Sequence, residues 1–185
     1  MPMGLRISGK RALQTPAGLG TRPTPGRVRQ ALFNILRGQV EGCRWLDLCC
    51  GAGTVGAEAL CQGAAFVAGI EIAASACRLI QANWTKVAQP GQAFQVIQGD
   101  ARKLLSRGLG LDPFDYVYFA PPYAAGLYAP LLPLIPPLLK PGGTLIVEHR
   151  SGQELPDQMG SLLRFDQRAY GQTALAFYRK LEEQR

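Results

Sequence analysis

In the stretch LDLCCGAGTVGAEAL, Gly51, Gly53 and Gly56 stand in GxGxxG spacing between an apolar run and a helical pattern. Glycines so spaced let a chain turn tightly and bring its backbone against a ligand. In a dinucleotide site, the helix that follows would hold a pyrophosphate at its N-terminus. Here Asp47 ends the apolar run four residues before Gly51, where a carboxylate opposes an anion. It suits a ligand with cationic and hydroxyl groups, such as S-adenosylmethionine. Glu71 closes the next apolar run in AGIE, where a carboxylate can accept two hydrogen bonds from ribose hydroxyls. Asp100 follows the third run, with Ala101 after it in IQGDA, where the acid would meet an adenine amine. Each acid taken singly also reads as a helix cap, Asp100 above all. Three at the C-terminal ends of successive strands point to one ligand at the edge where open α/β sheets bind. The glycine spacing alone also admits a nicotinamide-dependent oxidoreductase.

A second constellation is YFAPPY, residues 118–123. Pro121, Pro122 and Tyr123 at the mouth of a strand would present a flat substrate. Ala120 stands where a polar acceptor is expected.

These residues need a scaffold, and from residue 44 onward apolar runs alternate with helical patterns. RWLDLCC, FVAGIE, AFQVIQ, FDYVYF and GTLIVEH read as strands. Helices are expected at about 54–62, 73–88 and 101–106, with an irregular or broken helix in the Pro-rich LYAPLLPLIPPLLK. Such alternation predicts an α/β, three-layer, Rossmann-like fold with parallel strands and right-handed crossovers. LLRFDQRAY and TALAFYRK, joined by a tight turn near Gly171, read as a closing hairpin. Near the N-terminus, LRISGKRALQ fits a short hairpin, and TPAGLGTRPTPG a loop. Thr24 before Pro25 then reads as the N-cap of a helix whose Val28, Leu32, Ile35 and Leu36 form an apolar stripe. Arg27 and Arg29 fall off that stripe and are expected on an outward face.

Length and composition fit a single compact domain, with residues 1–40 as a basic hairpin, loop and helix packed on a core of residues 41–185. Residues 1–40 hold seven bases and no acid, and the remaining thirteen bases balance thirteen acids. A one-signed segment beside a neutral body is the footprint of a protein that meets a polyanion, nucleic acid being the commonest, or of a solvated basic arm. Five cysteines without CxxC spacing and one histidine give no zinc site. Reduced thiols and a cytoplasmic location are expected, since no run is long and apolar enough for a membrane span or signal peptide.

With these residues in view, the sequence resembles the class I S-adenosylmethionine-dependent methyltransferases. More narrowly it resembles the RsmD family of guanine 2-amino methyltransferases of small-subunit (16S) ribosomal RNA. RISGKRAL followed by TRPTPGRVRQALFNIL is similar to that family's N-terminal signature, DLCCGAGTVGAEAL to its cofactor loop, and YGQTALAFYRK to its closing hairpin. The resemblance implies a seven-stranded sheet with the last strand antiparallel. It implies S-adenosylmethionine held by Asp47, Gly51, Gly53, Glu71, Asp100 and Ala101. It also implies a monomer whose partner is ribosomal RNA or an assembling subunit, contacted through phosphates by Lys10, Arg11, Arg22, Arg27 and Arg29. Pro121 would offer its carbonyl to the substrate amine, Pro122 the rigid turn, and Tyr123 a stacking face. The family carries Asp or Asn at position 120, so Ala120 implies a slow enzyme or, as the alternative, a methyltransferase-like protein that binds RNA without turnover. Ala73 and Ala74 also depart from the polar residues often found after the ribose-binding acid.

If the basic arm contacts phosphates, affinity for small-subunit RNA should fall steeply as salt is raised from about 50 to 200 mM. A salt-insensitive affinity in filter binding would remove the arm from this role.

Overall fold

The structure, a computed structural model, describes residues 5–7, 12–14 and 24–182. Five parallel strands form the part of the sheet that carries the site. They are β3 (Arg44–Leu48), β4 (Phe66–Glu71), β5 (Ala93–Gln98), β6 (Phe114–Phe119) and β7 (Leu139–Arg150). Before them, β1 (Leu5–Arg6) and β2 (Ala12–Leu13) pair antiparallel as a separate two-stranded ribbon. After them come β8 (Gln158–Met159), β9 (Leu162–Tyr170) and β10 (Thr173–Lys180). The main sheet runs β5-β4-β3-β6-β7-β10-β9-β8. It therefore has eight strands where seven are expected. The additional one is the two-residue β8, which pairs antiparallel with β9 at the sheet's outer edge. The last strand, β10, is antiparallel to both its neighbours. Its hairpin with β9 turns at Gly171, which adopts the left-handed φ of 67° that glycine tolerates without strain.

Alternation along the strands divides the core in two. Trp45, Val67, Tyr118, Ile146 and Phe177 face one side, under α1 (Gly26–Ile35), α2 (Thr54–Cys61) and α3 (Ala74–Val87). Leu46, Ala68, Val117, Leu145 and Ala176 face the other, under α4 (Ala101–Arg107) and α5 (Tyr128–Leu131). The result is the expected three layers. The Pro-rich segment is broken as expected, with α5 giving way to 3-10 turns at Leu132–Leu134 and Pro136–Leu138. Prolines spaced so closely remove the N–H donors that a longer α-helix requires.

The N-terminal ribbon is tied to α3 by a reciprocal pair of hydrogen bonds. The Gln14 N–H donates to Asn83 Oδ1, and Asn83 Nδ2 donates back to the Gln14 carbonyl, both at 3.0 Å. Asn83 is fully buried, so its amide must find such partners. Val28, Leu32, Phe33 and Leu36 of the α1 segment join the same core.

Two expectations for this region are corrected. Thr24 does not cap α1: Pro25 holds the cap position and no side chain bonds there, because the Thr24 hydroxyl donates instead to the buried Glu148. Arg29 is not on the outward face with Arg27. Its side chain is only 5% exposed and pairs with Glu58 of α2, Nε to Oε2 at 3.8 Å. The reason is its place four residues before Phe33, on the margin of the buried stripe. Burial pulls the Arg29 pKa down, and Glu58 opposes that pull. Arg27 is exposed, with its guanidinium donating to the Tyr170 carbonyl at 3.4 Å. Lys10, Arg11 and Arg22 lie outside the described residues.

Removing one partner of a buried ion pair strands the other charge. Arg29→Ala should therefore lower unfolding free energy by roughly 3 kcal/mol, against about 0.5 kcal/mol or less for Arg27→Ala. Urea denaturation of the two variants checks this, and equal losses would contradict the inward placement.

Candidate functional site

The chain leaves β3 at Leu48 and turns through Cys49, whose φ of 62° is left-handed, into Gly51 and Gly53 before α2 begins at Thr54. Two carboxylates hold this loop. Asp47 Oδ2 accepts the Gly56 N–H at 3.1 Å, and Glu71 Oε2 accepts the Gly51 N–H at 2.8 Å. Glu71 Oε1 takes the Ala73 N–H at 3.0 Å as well, so this acid also fixes the entry to α3. Trp84 of α3 closes the arrangement from behind, its indole N–H donating to the Gly53 carbonyl at 2.8 Å. A Cβ on Gly56 would fall 2.2 Å from the Trp84 ring, which is why that position has no side chain. The motif gives no hint of Trp84, whose only signal is its helical spacing from Ile80 and Val87.

Asp100 takes one of the two roles considered for it, the helix cap. Its Oδ1 accepts the N–H groups of Arg102 and Lys103 at 2.8 and 3.4 Å, capping α4. The same residue lines a cavity of about 570 Å³, together with Asp47, Glu71 and Ala101. Ile72, which sequence reasoning missed, is 66% exposed and borders that cavity beside Glu71. A large exposed apolar side chain there offers a flat ligand a greasy surface.

The cavity continues to Ala120, Pro121, Pro122 and Tyr123. The Ala120 N–H reaches the Leu48 carbonyl at 3.4 Å, extending the pairing of β6 with β3 to the start of the turn. Tyr123 is fixed by its hydroxyl, which donates to Glu148 Oε1 at 3.3 Å and meets Thr173 Oγ1 at 3.1 Å. Glu148, on β7, is a fourth carboxylate in the cavity and another residue that sequence reasoning missed. It is buried, and its Oε2 accepts from Thr24 Oγ1 at 2.8 Å and, in a short bond, from the Tyr118 hydroxyl.

The electrostatics follow from burial. Asp47 is 2% exposed. Desolvation raises its pKa to about 7, with the Gly56 N–H opposing and the Glu71 and Glu148 carboxylates adding to the rise. Burial likewise raises the thiol pKa values of Cys49 and Cys50, so these neighbours are inert packing rather than nucleophiles. All five cysteines are free thiols. Among the described residues no group of three His, Cys, Asp or Glu side chains could hold a metal, and no helix is long and apolar enough to cross a membrane.

A cavity walled by carboxylates, with N–H groups directed at those carboxylates rather than outward, favours a cationic, hydroxyl-bearing ligand over a pyrophosphate. The family model described as conserved hypothetical protein 95 matches residues 5–179. The chain belongs to that family. It is 31% identical over 173 residues to a Bacillus subtilis protein named "Putative rRNA methyltransferase YlbH", covering 92% of this chain and 94% of that one. It is 28% identical to Ribosomal RNA small subunit methyltransferase D of Escherichia coli K12, covering 92% and 85%. Among solved structures, one titled "Putative methyltransferase yhhF" from Escherichia coli superposes with a TM-score of 0.81 at 27% identity, covering 97% of this chain and 99% of that one. The fold and the family expected from the sequence are thus both found.

Because the folded-state pKa of Asp47 lies above its unfolded value, the folded protein retains this proton over a pH range in which the unfolded chain has lost it. Stability from this group is full below about pH 4 and falls as pH rises to about 7. Asp47→Asn, which keeps an oxygen for the Gly56 N–H, should flatten that decline in thermal unfolding scans from pH 4 to 8. A cationic ligand favours the ionised form, so its calorimetric binding near pH 6 should release a proton from the parent chain and none from Asp47→Asn.

Proposed function

We propose that this chain transfers a methyl group from S-adenosylmethionine to the exocyclic 2-amino group of a guanine in small-subunit ribosomal RNA. The observation that carries the reading is a single cavity shared by two half-sites. One half has Asp47, Glu71 and Asp100 at successive strand ends, and the other has the Ala120–Tyr123 turn one strand further along. Ribosomal RNA methyltransferase is also what the relatives are named for.

The residues divide the work. Asp47 and the Gly51–Gly53 backbone would hold the cationic end of the cofactor, Glu71 its ribose hydroxyls, and Asp100 with Ala101 its adenine. Glu71 has one N–H on each oxygen, which leaves acceptor capacity on both for hydroxyl donors. When bound, S-adenosylmethionine supplies an electrophilic methyl group on a sulfonium. The other reactant is weak, because the lone pair of a guanine amine is delocalised into the ring. Catalysis is therefore largely positioning. The Pro121 carbonyl would accept one amine hydrogen, Pro122 would keep the turn rigid, and Tyr123 would stack on the extruded base. The hydroxyl of Tyr123 is anchored at two points, which suits a ring that must stay in one plane.

Ala120 offers the amine no side-chain acceptor, and a desolvated donor left unpaired costs about 1 to 3 kcal/mol. An enzyme in which no other side chain takes that hydrogen would be slow. Arg27 is exposed on α1 and would contact phosphate, with Lys10, Arg11 and Arg22 in the same basic segment. Buried Arg29 would instead serve by fixing α1 on α2. The partner is ribosomal RNA or an assembling subunit, met by a monomer in the cytoplasm. A second reading, an RNA-binding protein without turnover, draws on Ala120 alone.

The two readings separate in one experiment. Methyl transfer from labelled cofactor to undermodified small-subunit RNA is measured for this chain, Ala120→Asp and Ala120→Asn. Label should appear on guanine, with turnover about tenfold or more higher in both variants where no other side chain accepts that hydrogen. Equal rates in all three would mean that Ala120 is not a missing acceptor. No transfer by any of them, with RNA still bound, would leave the binding protein as the reading.

A further inference from the structure

Glu148 is a buried carboxylate with no ion pair to any cation among the described residues. Burying such a charge is costly unless donors surround it. Here the donors are hydroxyls, from Tyr118 and Thr24 to Oε2 and from Tyr123 to Oε1. They come from two separate parts of the chain, and Thr24 gives up a helix-cap position to serve. A core packed only for stability would dispense with this group, since replacing buried charges by apolar residues is often neutral or stabilising.

Its position explains the expense. β6 and β7 are parallel, with Phe119 opposite Val147, so Ala120 and Glu148 occupy the next step of the same register. Tyr118, two residues before Ala120, lies on the same face and bonds Glu148 directly. Adjacent strands are about 4.8 Å apart, and a glutamate reaches one methylene further than an aspartate. Glu148 can therefore serve the space above Ala120 from the neighbouring strand. Its Oε1 holds one donor, the Tyr123 hydroxyl at 3.3 Å, and keeps a lone pair free. Glu148, Ala120, Pro121 and Tyr123 all line the same cavity.

We propose that Glu148 Oε1 is the side-chain acceptor for the substrate amine, serving from β7 in place of a side chain at position 120. This rests on the methyltransferase reading above. The amine donates one hydrogen to Oε1 and the other to the Pro121 carbonyl, which turns its lone pair toward the methyl donor. As the N–C bond forms, the methyl carbon's bonding pair leaves with the donor sulfur as a neutral thioether. The nitrogen keeps the N–H bonding pair, and its proton passes to Oε1 and then to solvent.

The test is a cycle of Glu148→Gln and Ala120→Asn, the latter adding an acceptor without placing a second charge beside Glu148. Turnover on undermodified small-subunit RNA is measured for the parent, both single variants and the double variant, with S-adenosylhomocysteine affinity by calorimetry to report on the fold and cofactor half. Glu148→Gln should lower kcat about a hundredfold while RNA KM and S-adenosylhomocysteine affinity stay within about threefold. In the Ala120→Asn background the same change should cost less than about tenfold. Unchanged turnover in Glu148→Gln, or an equal loss in both backgrounds, overturns the proposal and leaves the methyltransferase reading standing. So does transfer by Ala120→Asn with none by the parent. No transfer by the parent or by Ala120→Asn overturns both. If Glu148→Gln loses S-adenosylhomocysteine binding, Glu148→Asp takes its place. That variant keeps the charge but withdraws it by one methylene, and undiminished kcat in it would likewise overturn the proposal.

Discussion

Two backbone N–H groups, that of Gly56 in the first turn of α2 and that of Gly51 in the loop before it, donate to the carboxylates of Asp47 and Glu71. Most of the site follows from this pairing. N–H groups of such a loop and of the first helical turn ordinarily form a nest for an anion, since they are unpaired and carry partial positive charge. Here protein carboxylates occupy two of them, so the loop's preference is inverted toward cations and hydroxyls. The same two bonds lock the loop to the ends of β3 and β4, and the Trp84 indole fixes it from the opposite side. Glycine at position 56 is then demanded by packing as much as by backbone freedom. One change at that position would disturb the loop, α2 and α3 together.

Desolvation sets a second constraint at Asp47, and the neighbouring carboxylates add to it. Asp47 registers the strain, being surrounded by Glu71 and Glu148 and lifted to about 7. A binding site that stores unfavourable charge in this way gains most from a cation, which relieves desolvation and repulsion at once. The chain's surplus bases sit elsewhere, in residues 1–40. Arg29 is the exception within that segment: buried against Glu58, it spends its charge on joining two helices.

What could be read from the sequence was what depends on near neighbours. Strand runs, helix stripes, the glycine loop and the acids at strand ends are encoded within about fifteen residues of one another, and each appears where expected. Thr24, Tyr118 and Glu148 escaped because their meeting spans 124 residues and no local pattern marks it. Thr24 even carried a misleading local signal, a cap residue before proline, which the unmet needs of a buried carboxylate overrode. Arg29 was misread for a related reason. A helical stripe fixes which face is buried but not how wide it is, and a long side chain at its margin can turn inward once an acid waits there.

The antiparallel last strand has a role in the site that topology alone makes possible. Parallel strands deliver only their C-terminal ends to the ligand edge. Because β10 runs the other way, it delivers its beginning to that edge, and Thr173 lies opposite Arg150 at the end of β7. From there its hydroxyl reaches the Tyr123 hydroxyl at 3.1 Å. The turn after β6 is thereby braced from two strands, by Glu148 of β7 and Thr173 of β10. Reversing one strand next to β7 supplies a second support for the tyrosine without lengthening any loop.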